Sequence, residues 1–310
     1  MSENTIVLPA YTPGEQGLFS GLPAEVYHSQ SKAPGISRSL IVELLTLTAA
    51  HAQSAIEGLH TKVETAAMSS GTVFDKMLLE PDKFGDGISH WTVPADMKLS
   101  TKEGIAWKKD HPKTGEPGGL PYIWAESDAA DKASLEDMSG MIESLMAHQK
   151  IRRIVESSVK QESAFCTDPD TGLMRKVRPD ARCVDNQDRI IIADLKSTFR
   201  GGAVISTWQQ HCARMAYHIQ DSFYSDVYTD LMAPPFFVFM VVERKPPYAC
   251  RMFQLDRAGK RFAREKYKRA LEKFRQCEDS GVWPGYGDEI VTVSLPSWEL
   301  RAPQPESIDL

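Results

Sequence analysis

The chain has 310 residues, 42% hydrophobic and 25% charged, with a formal net charge of −6. This is the composition of a globular protein, and its acidic balance excludes a histone-like or tail-driven nucleic-acid binder while leaving room for one basic face. Cys166, Cys183, Cys212, Cys250 and Cys277 form no C-x-x-C pair, which argues against structural zinc and for reduced thiols in a cytoplasmic protein.

The opening MSENTIVLPAYTPGEQ has no basic or apolar leader pattern, so no secretory signal is expected. The longest apolar stretch, near Ala233 to Val242, holds two prolines and is too short to span a bilayer. Residues 1–35, rich in Pro, Gly and Ser, read as irregular. "GISRSLIVELLTLTAAHAQSAI" predicts a helix capped by Ser37 or Ser39, with Leu40, Leu44, Leu45 and Ala49 on one face. "SSGTVFDKMLLEPDKF" predicts a second helix, stopped by Pro81. Asp82 to Pro121 is polar and long for a loop, hence functional or mobile. "SDAADKASLEDMSGMIESLMAHQKIRRIVESS" predicts a helical region capped at Ser127.

After Glu162 the pattern changes to strands. "SAFCTDPDTGLMRKVRPDARCVD" reads as two strands around a Pro-Asp-Thr-Gly turn. "RIIIADLKST" is a third, rich in β-branched residues. "WQQHCARMAYHIQDSFYSDVYTDLM" predicts one long helix ended by Pro234-Pro235. "FFVFMVVER" and "YACRMFQLD" are strands joined across Lys245-Pro246-Pro247. "RAGKRFAREKYKRALEKFRQCEDSG" is a basic helix closed by Gly281. This order predicts an α/β or α+β fold, a mixed central sheet flanked by helices. A single domain follows: irregular 1–35, a helical half 36–160, a core 161–281 and a tail 282–310.

The strand "IIADLKST" ends in charge. Asp194 and Lys196, two apart, point to one side of it. If the "RPDA" segment pairs with this strand, Asp180 lies at the same end. Two carboxylates and an ammonium suit a hard cation such as magnesium, with the lysine positioning or deprotonating water or steadying a transition state. A D-x-K by itself is usually a solvated edge charge. The preceding apolar strand, Asp180 and the following "QDSFY" helix set this one apart.

Together "RKVRPDA", "IIADLKST" and "QDSFYSDVY" resemble the PD-(D/E)XK nuclease core, and more closely the exodeoxyribonuclease VIII group, related in chemistry to lambda exonuclease. "ISRSLIVELLTLTAAH", "GTVFDKMLLEP" and "TKEGIAW" carry the resemblance over about residues 27–245. It implies a restriction-endonuclease-like core with Asp180 and Asp194 as metal ligands, the Leu195 carbonyl contributing, and Lys196 serving the attacking water. Gln220 and Tyr224, four apart on one helical face, would buttress the site or meet the DNA backbone. The resemblance further implies Mg2+, with Mn2+ as substitute, and double-stranded DNA ends as substrate. The activity would be 5′→3′ exonucleolysis in phage or prophage recombination, with a strand-annealing partner and a homo-oligomeric ring. An endonuclease of the same fold and an inactive DNA-end binder are the alternatives. Where the group carries histidine in its G-x-x-x-H…LLEP motif, this chain carries Asp75. Related nucleases place a glutamate there, so Asp75 is expected to ligate the metal.

Arg175, Lys176 and Arg178, just before Asp180, are expected to meet DNA phosphates, and Ser37 with Arg38 to form a phosphate pocket at a helix start. The Lys98–Lys113 stretch with Trp107 is a further candidate strand grip. The basic residues of 257–275 read as a solvated face. Glu162 is expected to pair with Arg175 or Lys176, and His211 and His218 to be surface or packed residues on one helix. The cysteines lack the quartet of an iron–sulfur site.

Overall fold

The N-terminal stretch expected to be irregular is partly built into the fold, as β1 (Gly17–Phe19) and α1 (Ala24–His28). The structure, a computed structural model, describes residues 11–59, 66–84, 90–113, 116, 119–126, 134–297 and 299. The first predicted helix is split into α2 (Arg38–Thr46) and α3 (Ala49–Ile56). Thr46 turns its hydroxyl back onto the Val42 carbonyl, and Thr48 takes the N-cap position of α3; hydroxyls that bond locally favour such breaks. α4 (Ala66–Leu79) starts earlier than expected and ends where Pro81 lacks an N–H. Pro81 itself opens the short α5 (Pro81–Phe84).

The polar region 82–121 holds regular structure: β2 (Trp91–Val93), α6 (Lys102–Asp110) and, just beyond, β3 (Tyr122–Trp124), which pairs parallel with β2. Trp107 stacks on His111 with centroids 3.9 Å apart, so its ring packs internally rather than standing ready for a base. α7 (Leu135–Ala147) is capped by Ser134; the expected cap Ser127 lies outside the described residues. α8 (Gln149–Ser157) follows.

The strands are β4 (Val159–Lys160), β5 (Ser163–Thr167), β6 (Met174–Val177), β7 (Ala181–Val184) and β8 (Ile190–Thr198). Two helices follow, α9 (Ile205–Arg214) and α10 (Tyr217–Leu231), then β9 (Phe236–Glu243), β10 (Cys250–Phe253) and α11 (Arg257–Ser280). One sheet has the order β1-β5-β6, and the central sheet β10-β9-β8-β7-β4. The central sheet is mixed, as predicted: β8 and β9 run parallel and the other pairs antiparallel. The segment read as one strand through "RKVRPDARCV" changes sheets at Arg178-Pro179, because proline supplies no ladder donor. The single long helix is two, broken at Ala216 in the left-handed region (φ 52°). His211 and His218 therefore sit on different helices.

β8 and β9 are covered on both faces, which explains their unbroken apolar runs. Ile192, Phe237, Phe239 and Val241 face α2, α10 and α11, while Ala193, Leu195, Met240 and Val242 face α4, α7 and α8. α11 buries Tyr267, Leu271 and Phe274 and turns its basic residues outward, Arg264 to Asp226 at 2.5 Å and Lys268 to Asp170 at 2.6 Å. Among the described residues no helix is long and apolar enough to cross a membrane.

Two residues expected at the DNA surface are inside. Arg175 is 1% exposed, between Asp168 at 3.4 Å and Asp230 at 2.5 Å. Lys176 is 2% exposed and donates to the carbonyls of Tyr27 (3.0 Å) and Ala33 (2.6 Å), pinning the N-terminal segment to β6. Burial holds its pKa down to about 8. Glu162 pairs with Arg182 at 2.5 and 2.9 Å rather than with Arg175 or Lys176, since β4 pairing sets Val159 opposite Arg182 beside it. Stripping one partner from a buried ion pair leaves the other uncompensated, at about 3–5 kcal/mol. Arg175→Ala is accordingly expected to lose about that much stability in urea unfolding; a loss under about 1 kcal/mol, the scale of a surface pair, would contradict a structural role.

Candidate functional site

The site is set by strand register. β7 and β8 pair antiparallel with Ala181 opposite Ala193, and one more step places Asp180 opposite Asp194. The strand alternation then sends Leu195 into the core and brings Lys196 to the side of Asp194. Asp180 Oδ2 accepts from the Leu195 N–H at 2.7 Å, and Oδ1 from Gln161 Nε2 at 3.0 Å. Asp194 is 3% exposed; its Oδ1 accepts from Gln220 Nε2, and its Oδ2 meets the Lys196 ammonium. That oxygen has no hydrogen-bond donor beyond this ion pair among the described residues.

α4 delivers the third carboxylate. Val73, Phe74, Leu78 and Leu79 anchor the helix in the core, which leaves half-buried Asp75 on the cleft side. α10 delivers Gln220 and Tyr224 from one face, and the break at Ala216 brings Tyr217 beside them. Tyr217 lies 5.0 Å below the Lys196 ammonium and 5.8 Å from the Arg38 guanidinium, ring centroid to cation. The cleft has a volume of about 410 Å³, and Ser37, Arg38, Asp75, Arg178, Asp180, Lys196, Gln220 and Tyr224 all line it. Arg175 and Lys176 do not.

Ser37 is committed to capping α2, accepting from the Leu40 N–H at 3.4 Å. Arg38 donates to the Met215 carbonyl, while its buried Nε has no hydrogen-bond partner among the described residues. Arg178 donates to Gln161 Oε1 at 3.2 Å and to the Leu22 carbonyl at 2.7 Å, so it also holds the glutamine that holds Asp180. Sequence reading missed Gln161 and Tyr217. Nothing in the local pattern marks Gln161, whose φ of 50° turns it toward the site. Tyr217, three before Gln220, could have been found from helical spacing.

The electrostatics are those of crowded acids. Burial, then the charge of Asp194, push Asp180 up to about 7, against the pull of Lys196, the Leu195 N–H and Gln161. Burial, then Asp180, push Asp75 well above the carboxylate range. Burial works against the Lys196 ammonium, but Asp194 and Asp180 outweigh it and raise its pKa. Burial, then Asp194, push Tyr224 up to about 12. Among the described residues no three His, Cys, Asp or Glu side chains are gathered closely enough to hold a metal by themselves. The donor set nevertheless fits a hard divalent cation: its acids are oxygen donors, mutually repelling and short of positive charge.

The chain matches the family described as "PDDEXK-like domain of unknown function (DUF3799)" over residues 37–295. A solved structure from Eubacterium rectale, of a protein proposed to be an exonuclease, superposes with a TM-score of 0.57 at 14% identity, covering 91% of this chain and 98% of its own. At that identity the likeness is one of fold. The structure of SSO0001 aligns over 64% of this chain and 85% of its own at 10% identity, with a TM-score of 0.25, too low to argue from. No curated protein matches.

A carboxylic acid held protonated in the folded state stabilises that state below its unfolded pKa, and the contribution is lost as pH rises through the folded value. With Asp180 raised from 3.8 to about 7, the metal-free protein is expected to lose stability as pH climbs between these values, and Asp180→Asn to lose less. Thermal midpoints across this range check it; a rise with pH that Asp180→Asn leaves unaltered would contradict the crowding.

Proposed function

This chain belongs to the PDDEXK-like domain family, and on that premise we propose that it is a metal-dependent deoxyribonuclease. The finer reading is an exodeoxyribonuclease VIII-like enzyme that degrades duplex DNA 5′→3′ from its ends in phage or prophage recombination. It would act in the cytoplasm, as a homo-oligomeric ring, and hand its product to a strand-annealing protein. The observation that carries the reading is the opposition of Asp180 and Asp194 across paired strands with Lys196 alongside.

Asp180 and Asp194 would hold the Mg2+ or Mn2+, with Asp75 and the Leu195 carbonyl contributing. A bound cation of this kind lowers the pKa of water and offsets charge on a phosphate. Gln220 orients Asp194, and Gln161, steadied by Arg178, orients Asp180. Lys196, kept cationic by its acid neighbours, orients the attacking water and offsets charge on phosphorus rather than taking a proton. Arg38 and Arg178 supply positive charge along the cleft wall for the DNA backbone. In the step itself the water oxygen bonds to phosphorus, the bond from phosphorus to O3′ breaks, and a proton goes to O3′. The product carries a 5′-phosphate.

The deciding measurement uses end-labelled linear and circular duplex DNA with magnesium. Digestion of the linear form alone, releasing 5′-nucleotides, is expected. Nicked circles would replace the exonuclease with an endonuclease, and binding without cleavage with an inactive end-binder. Asp194→Ala and Lys196→Ala are each expected to lower kcat at least about 100-fold, the scale for removing one preorganised charge-stabilising group. Asp75→Ala should raise the magnesium concentration needed for half-maximal activity; unchanged activity at limiting magnesium would remove Asp75 from the ligand set.

A further inference from the structure

Outside the cleft the chain carries two unpartnered features. After α11 it first packs back on the body. Trp283 meets Phe274 at 5.1 Å, the Pro284 carbonyl accepts from the Ala50 N–H at 3.2 Å, and Tyr286 meets His51 at 5.6 Å. The chain then leaves the surface. Ile290 is 100% exposed, Val291 75%, Val293 81% and Leu295 58%. Among the described residues, 288–295 make no backbone hydrogen bond to the body. The stretch "EIVTVSL" is β-branched, alternates over Val291, Val293 and Leu295, and holds neither Gly nor Pro, which are the marks of a strand. A contiguous apolar segment left in water signals a missing contact. The family match runs to residue 295, so this arm lies within the domain.

The second feature is an open sheet edge. β10 ends the central sheet, and among the described residues no strand pairs with its outer side. Beside it lies an apolar groove of about 430 Å³, walled by Trp208, Phe253, Leu255 and Phe262. At Ile205 the groove continues into a hollow of about 500 Å³ bordered by Val204 and Cys250. Phe262 is 53% exposed, Ile205 58% and Val204 52%. An unprotected edge beside apolar pockets is what a strand from another chain adds to.

Asp288 and Glu289 lead into the arm, and the surroundings of the groove carry a positive excess: exposed Arg251 borders the hollow, and exposed Arg257 and Arg261 follow Asp256, the one acid that lines the groove. The groove borders the first two turns of α11, whereas the arm departs near its C-terminal half, roughly 20 Å away at 1.5 Å per residue. In the structure the arm does not lie in its own groove. We propose that residues 288–295 form an arm that adds as a strand to the β10 edge of a second copy of this chain, seating its apolar side chains in the groove between α9 and α11. Donor and acceptor are different surfaces, so the contact is head-to-tail and repeats from copy to copy until it closes. It does not depend on the catalytic reading.

The test compares the full chain, a chain ending after Gly287, and the double variant Ile205→Asp with Phe262→Asp. Both substitutions fall on exposed positions, and thermal unfolding verifies that each variant folds. In sedimentation the full chain is expected to associate and each variant to run as a single chain. Mixed, the two variants should form a 1:1 pair, because one keeps the arm and the other the groove. A full chain that sediments singly, a truncated chain that still associates, or a mixture that does not pair would overturn the proposal. A disulfide between Val291→Cys and Phe262→Cys should link separate chains; a link within one chain would assign the groove to the chain's own arm.

Discussion

Two carboxylates face each other across an antiparallel strand pair, and the surrounding structure answers that one constraint. Side by side, with Asp194 buried and Asp180 half-buried at the cleft, the two cannot both ionise without compensation. Each neighbour supplies part of it. The Leu195 N–H and Gln161 serve Asp180, Gln220 and the Lys196 ammonium serve Asp194, and Tyr217 sits beneath the ammonium. Asp75 adds a third acid where compensation is already incomplete, which is why its carboxyl is driven so far up. A structure whose only purpose was stability would have no reason to gather these acids. Under the proposed function, a divalent cation and a phosphate would supply the compensation that these acids lack.

The elements that hold this arrangement come from distant parts of the chain. The core around β8 and β9 carries Asp194 and Lys196, while α4 from the helical half brings Asp75, anchored by Phe74 and Leu78. The N-terminal segment closes the cleft wall because buried Lys176 grips the carbonyls of Tyr27 and Ala33. A lysine that looks like a phosphate contact thus shapes the site from behind. Arg175 works the same way, joining β6 to Asp230 on α10.

Much of the site was legible because its logic is local. Asp194 and Lys196 share a strand face by alternation, and Gln220 and Tyr224 share a helix face by spacing. Asp180 followed once its segment was read as the neighbouring strand. The misreadings arose where tertiary context overrides local pattern. Arg175 and Lys176 stand next to a site residue in sequence, but they lie on β6 of the other sheet, before the crossing at Pro179. The helix through "ARMAYHIQ" has no proline or glycine to mark its break, which falls at left-handed Ala216. The region 82–121 reads as loop by composition, yet Trp91, Trp107 and His111 cluster into a small core of their own.

By itself the sequence determined most helices and strands of the core 161–281, the mixed sheet and the identity of the charged residues at the strand end, because hydrophobic period and residue chemistry are properties of short windows. Only the tertiary structure decided which charges meet. It set Asp180 opposite Asp194 through strand register, turned Arg175 and Lys176 inward, and brought Gln161 and Tyr217 to the acids. It also left the "EIVTVSL" arm and the β10 edge both uncovered. Burial and distance fix the energy of a charge, and neither is written in any one stretch of the chain.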